Sequence, residues 1–134
     1  MLQITRTLSS AEILALHTTA IVLVPAPGTN RKIIPMQFAM SLHAGGTPYA
    51  GGSDLNYLIG AGGGGLVATV GDAGIITQAA DFEQVTAKTA LGELAASAAN
   101  TLNQALSIKA SGAAFTAGNG TVTLQIFYAV IQSN

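Results

Sequence analysis

Residues 120–131 read GTVTLQIFYAVI, and this stretch decides the fold class. Val122, Leu124, Ile126, Tyr128 and Val130 occupy alternate positions in it. A period of two is that of an extended strand, whose successive side chains point to opposite faces. Because almost every residue here is β-branched, aromatic or apolar, the stretch predicts a long strand with one face in a core.

Shorter apolar runs, separated by turns rich in glycine and proline, predict further strands. On residues 32–42, one face is predicted to carry Ile34, Met36, Phe38, Met40 and Leu42. The other predicted strands cover residues 2–7, 20–24, 55–59, 66–70, 74–77 and 82–86, and one more begins at residue 105. This last strand is expected to form a hairpin with residues 120–131. The alanine-rich residues 86–100 are predicted to be a loop with one helical turn.

A short helix is predicted near the N-terminus. Ser9 and Glu12 have the spacing of a capping box, and Ile13, Leu14 and Leu16 follow them. The crossover helices that parallel strands need are missing, so the strands should be antiparallel. The sequence therefore predicts one all-β domain over residues 1–134. Its architecture should be an antiparallel β-sandwich or jelly roll of about eight strands with one short N-terminal helix.

Charge is scarce in this chain. Asp, Glu, Lys and Arg make up 8% of the 134 residues, and the net charge is −1, whereas ordinary domains have roughly 25% charged residues. Either much of the surface is buried against other subunits, or uncharged polar groups cover it; a defined oligomer is the favoured explanation. Five basic residues, of which only Arg31 and Lys32 are adjacent, argue against nucleic-acid binding. The longest apolar run, residues 20–24, is too short to span a membrane.

The glycine run at residues 60–65 matches a dinucleotide-binding fingerprint in its spacing. The phosphate site of that motif requires a helix directly after the glycines, whereas a strand pattern follows here. The run is therefore predicted to be a flexible loop tip, and no cofactor is expected.

Metal and catalytic sites are not predicted either. His17 and His43 have no second histidine or acid at metal-ligand spacing, and the chain has no cysteine. Asp81 and Glu83 would share one face of a strand, which suggests a calcium or acid–base site, but an ordinary solvated face explains them better. The protein is expected not to be an enzyme.

Carbohydrate binding by stacking is an alternative, since sandwiches of this size often carry aromatic platforms. The chain has no tryptophan and three tyrosines. Tyr128 belongs to the apolar face of residues 120–131, whereas Tyr49, between Pro48 and Gly51, occupies a turn-rich segment that is expected to be exposed.

Several segments resemble the small jelly-roll decoration, or cement, proteins of tailed-bacteriophage heads. They are SSAEILAL (9–16), AIVLVPAPGTNRKIIP (20–35), TPYAGGSDLNY (47–57), ALSI (105–108) and FTAGNGTVTLQIFYAVI (115–131). The resemblance implies a structural virion protein without cofactor. Such proteins sit as homotrimers on the outer surface of the capsid, bind the major capsid protein and brace the shell against the pressure of the genome.

Candidate contact residues with the capsid or with other subunits are Arg31, Lys32 and Tyr49. They belong to the turn at residues 25–32 and to the glycine-rich segment 43–54; residues 60–65 and the N-terminal strand are further candidates. Two alternatives remain open at this point. The chain could be another phage component, from the tail, neck or fibre base, or a non-enzymatic β-sandwich module that binds a carbohydrate or another ligand.

Overall fold

The chain folds into antiparallel sheets, and the computed structural model describes residues 1–60, 66–70, 75–87 and 102–133. Its strands are β1 (Leu2–Leu8), β2 (Ile21–Val24), β3 (Arg31–His43), β4 (Ala50–Gly51), β5 (Leu55–Ile59), β6 (Leu66–Val70), β7 (Phe82–Ala87), β8 (Leu106–Ala110), β9 (Phe115–Thr116) and β10 (Thr121–Gln132). A single helix is described, α1 (Ser10–Ala15), and no described helix has the length and apolar character needed to cross a membrane.

Two four-stranded sheets carry the fold, together with the small pair β4-β9. The first sheet has the order β1-β10-β3-β7 and the second has the order β2-β8-β5-β6. The chain changes sheet after nearly every long strand, so that strands adjacent in sequence mostly lie in opposite sheets. This is the interleaved strand order of a jelly roll. The predicted all-β, antiparallel fold class is confirmed.

The core lies between the inner faces of the two sheets. Val122, Leu124 and Ile126 of β10 are completely buried, as the alternation predicted. The ring of Phe38, on the first sheet, stacks on that of Tyr57, on the second, with the centroids 4.0 Å apart. This stack joins the two sheets directly, and the other buried apolar residues belong to the same cluster.

A β-bulge in β3 changes which of its residues face the core. Phe127 of β10 pairs with Gln37 and Tyr128 pairs with Pro35, so that Met36 has no partner on β10. The extra residue restarts the alternation. The prediction of a single apolar face through Ile34 and Met36 is therefore wrong: Ile33 and Pro35 are buried instead, and Met36 is 47% exposed.

The predicted hairpin between β8 and β10 is also wrong. β8 lies in the second sheet, between β2 and β5, whereas β10 lies in the first sheet. The connection between them contains β9, which pairs with β4. The chain therefore crosses from one sheet to the other where a turn between partners was expected. The strand predicted at residues 74–77 is wrong as well, because Ile75, Ile76 and Thr77 form a turn.

The predicted helix cap is confirmed. The hydroxyl of Ser9 accepts a hydrogen bond from the backbone N–H of Glu12, and the Glu12 carboxylate accepts one from the N–H of Ser9. Ile13 and Leu16 are fully buried, so this short helix is held by packing on the sandwich. Strands β1, β2, β5, β6 and β7 lie at or near their predicted positions. The loop predicted for residues 86–100 falls mostly outside the described residues, apart from the end of β7.

Candidate interaction surfaces

The outer side of the first sheet presents an uncharged surface, called here the polar sheet face. It consists of the residues that alternate with the buried ones, namely Gln3, Thr5, Thr7, Gln37, Ala39, Ser41, Thr123, Gln125 and the half-buried Phe127. Cross-strand partners on this face bond to each other: the hydroxyls of Thr7 and Thr123 lie 3.1 Å apart. Where β7 extends the face, Glu83 is its one charged residue among those that the structure describes. Covering such a surface with protein would desolvate hydroxyls and amides but almost no charges.

Arg31 and Lys32 lie at the start of β3, at one end of the sandwich. The turn that precedes them is fixed by Asn103, whose side-chain oxygen accepts a hydrogen bond from the N–H of Gly28 (2.9 Å). The backbone N–H of Asn103 donates to the carbonyl of Arg31 (2.7 Å). Arg31 and Lys32 therefore lie next to a turn whose backbone is held by hydrogen bonds to Asn103. Nothing in the sequence around Asn103 indicated this role, since the contact joins residues 75 positions apart.

Neither basic side chain has an ion-pair partner within the described parts of the chain. Arg31 is exposed and Lys32 is half-buried, opposite Ile131 of β10. By contrast, Arg6 is paired with Glu12 at 2.6 Å. The predicted roles of Arg31 and Lys32 as contact residues stay predictions, but both charges are available to a partner.

Tyr49 is buried, so its expected exposure is wrong. Only 3% of the residue is accessible, and its ring meets that of Phe115 edge-on, with the centroids 6.2 Å apart. Its hydroxyl donates a 2.6 Å hydrogen bond to the carbonyl of Gly120, and burial raises its pKa. The ring lies against Gly118, which has a positive φ and where any Cβ would collide with it. Tyr49 therefore stabilises a loop and offers a partner almost no surface.

The rest of the glycine-rich segment 43–54 is fastened to the loop before β10. Thr47 donates its N–H to the side-chain oxygen of Asn119 (3.0 Å), and Asn119 returns its own N–H to the carbonyl of Thr47 (3.2 Å). Gly46 and Pro48 stay exposed beside these bonds. The other candidate loop, residues 60–65, lies outside the described residues after Gly60.

The described acids and histidines do not assemble a catalytic or metal site. Asp81 accepts a hydrogen bond from the N–H of Ala44 (2.8 Å) and lies 3.7 Å from the imidazole of His43, where both side chains are exposed. Glu83 stands on β7, opposite Ser41. Among the described residues, no three metal-binding side chains come together. Strand β6 follows the glycine run, in place of the helix that a dinucleotide site needs.

Comparisons with known proteins give one weak similarity. No protein-family model matches the chain, and no curated protein sequence matches it. It is similar to a chain in a solved structure titled "Cyanophage Pam1 capsid asymmetric unit". The identity is 15% over 94% of this chain and 80% of that chain, with a TM-score of 0.48. A similarity at this level carries no inference about function.

Proposed function

We propose that this chain is a structural virion protein, a decoration or cement protein that binds the outer surface of a phage head as a homotrimer and stabilises the shell. The observation that carries the proposal is the polar sheet face on a jelly-roll scaffold. Burying an extended surface with almost no charge has a low desolvation free energy, and the chain as a whole has only 8% charged residues. Contact with another protein would use such a surface. The resemblance of the sequence to head decoration proteins supports the same role.

The burial of its tyrosines favours this role over sugar binding. Tyr49 and Tyr57 are both buried, and Tyr128 is half-buried against the core. A stacking platform needs an aromatic face that is open to solvent. The rings that the ligand-binding alternative would use are therefore part of the internal packing, and we propose a non-enzymatic, assembly-based function.

The proposal is tested with shells of the major capsid protein encoded in the same genome. Purified shells are incubated with the chain and separated from unbound chain by sedimentation. The amount of chain bound per capsid protein is then quantified on gels. We expect the chain to remain on the shells in a fixed ratio, in multiples of three per binding position. Decorated shells should also withstand a higher temperature than bare shells before they break. Absence of binding, or co-purification with tails in place of heads, would overturn the proposal.

A further inference from the structure

The first of two complementary surfaces lies beyond the bulge, where β3 and β10 continue as a ribbon that has two strands within the described residues. β1 begins at Leu2, opposite Tyr128, and the described pairing of β7 with β3 reaches only Gln37. Beyond these points the ribbon carries the ribbon patch, defined as Lys32, Ile34, Met36, Ala129 and Ile131. Met36 is 47% exposed and Ile131 is 43% exposed.

The ribbon patch is apolar and positively charged. Lys32 stands directly opposite Ile131, and Ile34 stands opposite Ala129. Residues that face each other across an antiparallel pair have Cβ atoms about 5 Å apart, so this patch is continuous. Lys32 adds a positive charge that no described carboxylate balances, while its neighbour Arg31 belongs to the opposite face of the ribbon. A partner should therefore be apolar with a negative charge beside it.

The second surface lies at the other side of the same sheet, on its last strand. The β7 patch is defined as Asp81, Glu83 and Val85. Glu83 and Val85 share the outer face of the sheet, and Val85 is 63% exposed. Glu83 has no cation beside it in the described ranges, and the Asp81 carboxylate is 72% exposed. The β7 patch is thus apolar and negatively charged, which is the complement of the ribbon patch.

The two patches cannot meet within one chain. Glu83 is opposite Ser41, which is ten residues further along β3 than Arg31; at about 3.3 Å per residue this is roughly 30 Å. Two ribbon patches from different copies would repel each other, because both are positively charged. Complementary contact therefore requires a second copy, arranged head-to-tail.

We infer that the ribbon patch of one copy binds the β7 patch of the next copy. Head-to-tail contacts form a closed ring when the rotation between copies closes, and a filament when it does not. The ring of three rests on the proposed function, whereas the pairing of the two patches rests on the structure alone. In the ring, Lys32 and Glu83 lie across each subunit boundary, with Met36, Ile131 and Val85 packed beside them.

Charge reversal tests this pairing in the full chain. Lys32→Glu places like charges across the boundary, and so does Glu83→Lys. For each single variant, the protein concentration at which the assembly dissociates should be at least about tenfold higher than for the unmodified chain. The double variant, with both reversals in one chain, should recover the assembly size and affinity. Size-exclusion chromatography with light scattering, at low and high salt, measures both quantities.

Lys109→Glu is the matched control, because it makes the same change of charge on β8, away from both patches. It should leave the assembly unchanged, and circular dichroism should show that every variant is folded. The unmodified chain and both single variants could all form equally stable trimers. The subunits would then contact each other elsewhere, so this inference would be wrong while the proposed trimer would be retained. If the unmodified chain is monomeric but binds shells, the inference is wrong and the capsid role survives.

Discussion

The two ends of the sandwich, named here after the residues at the two ends of β3, differ in whether their polar groups have partners within the chain. At the His43 end, loop residues form hydrogen bonds with each other: the hydroxyl of Tyr49 donates to the carbonyl of Gly120, and Thr47 and Asn119 exchange two hydrogen bonds. At the Arg31 end, exposed apolar side chains stand next to unpaired positive charges within the described residues. Substitutions of the loop residues that form these hydrogen bonds at the His43 end should therefore reduce stability, whereas substitutions of the exposed residues at the Arg31 end should reduce association.

The largest contrast is expected between two isoleucines of β10. Ile126 is completely buried, so Ile126→Asp would place an uncompensated carboxylate in the core at a cost of several kcal/mol. Ile131 is 43% exposed in the ribbon, so Ile131→Asp should cost about 1 kcal/mol or less of stability while weakening assembly. Urea unfolding and light scattering measure the two effects.

Gln125→Asp is the control for the strand itself, since Gln125 is exposed on the neighbouring position of β10. It should fold and unfold nearly like the unmodified chain. A soluble, cooperatively folded Ile126→Asp variant would show that β10 does not form the core.

Single-residue deletions in β3 should differ almost as strongly. Deleting Met36 removes the bulge and leaves every other pair with β10 in register, so the variant should fold, at a cost of about 1 to 3 kcal/mol. Deleting Ala39 forces a shift of register. Loss of the bulge could restore the pairing of the residues before Met36. Phe38 would nevertheless face solvent and Gln37 would face the core, which should lower the free energy of unfolding by at least about 4 kcal/mol.

Thermal unfolding followed by circular dichroism compares the two deletions. The Met36 deletion should retain a cooperative transition, and the Ala39 deletion should lose it or shift it strongly to lower temperature. Equal transitions for both would mean that the register of β3 is not fixed by its inner face.

Much of the fold could be predicted from patterns that act locally. The alternation in β10 identified Val122, Leu124 and Ile126 as core residues, and the capping box identified the start of α1. The bulge could not be predicted, because Met36 is as apolar as the residues that alternate with it. The partner of β8 could not be predicted either, because strand pairing in a jelly roll joins distant segments.

The candidate site was predicted only in part, for a related reason. Arg31 and Lys32 were singled out by charge, and the structure leaves both available to a partner. Tyr49 was misjudged because a proline- and glycine-rich neighbourhood is typical of exposed loops. Its burial depends on Gly118, far along the chain, which leaves room for the ring. The ribbon and β7 patches were missed because each combines residues from separate strands or from strand and loop.

A smaller contrast is expected between two buried tyrosines. Tyr49→Phe removes the hydrogen bond to the carbonyl of Gly120 and should cost about 1 to 2 kcal/mol. The hydroxyl of Tyr57 is buried without a hydrogen-bond partner among the described residues, so Tyr57→Phe should be neutral or stabilising. Urea unfolding of the two variants at neutral pH measures the difference. A cost for Tyr57→Phe equal to that for Tyr49→Phe would reveal a partner for its hydroxyl.

The same tyrosines predict a loss of stability in alkali. Burial raises the pKa of Tyr49 and of Tyr57 above the ordinary value of 10.0. The unfolded chain therefore releases these protons at lower pH than the folded chain. Their contribution is complete below pH 10 and is lost as the pH rises through the folded-state values. Tyrosinate absorbance should appear together with unfolding, and titration of both hydroxyls in a folded chain would contradict this.

The smallest effect is expected at the helix cap, where Ser9→Ala should cost about 1 kcal/mol and leave assembly unchanged. The pKa of Glu12 is lowered, first by the hydrogen bond from the backbone N–H of Ser9 and further by Arg6. Because the folded-state pKa lies below the ordinary value of 4.5, this stabilisation is present above that pH and disappears as the pH falls through the folded-state pKa. The stability difference between the unmodified chain and Glu12→Gln should therefore shrink on acidification. A difference that is constant with pH would show that the charge of Glu12 does not stabilise the cap.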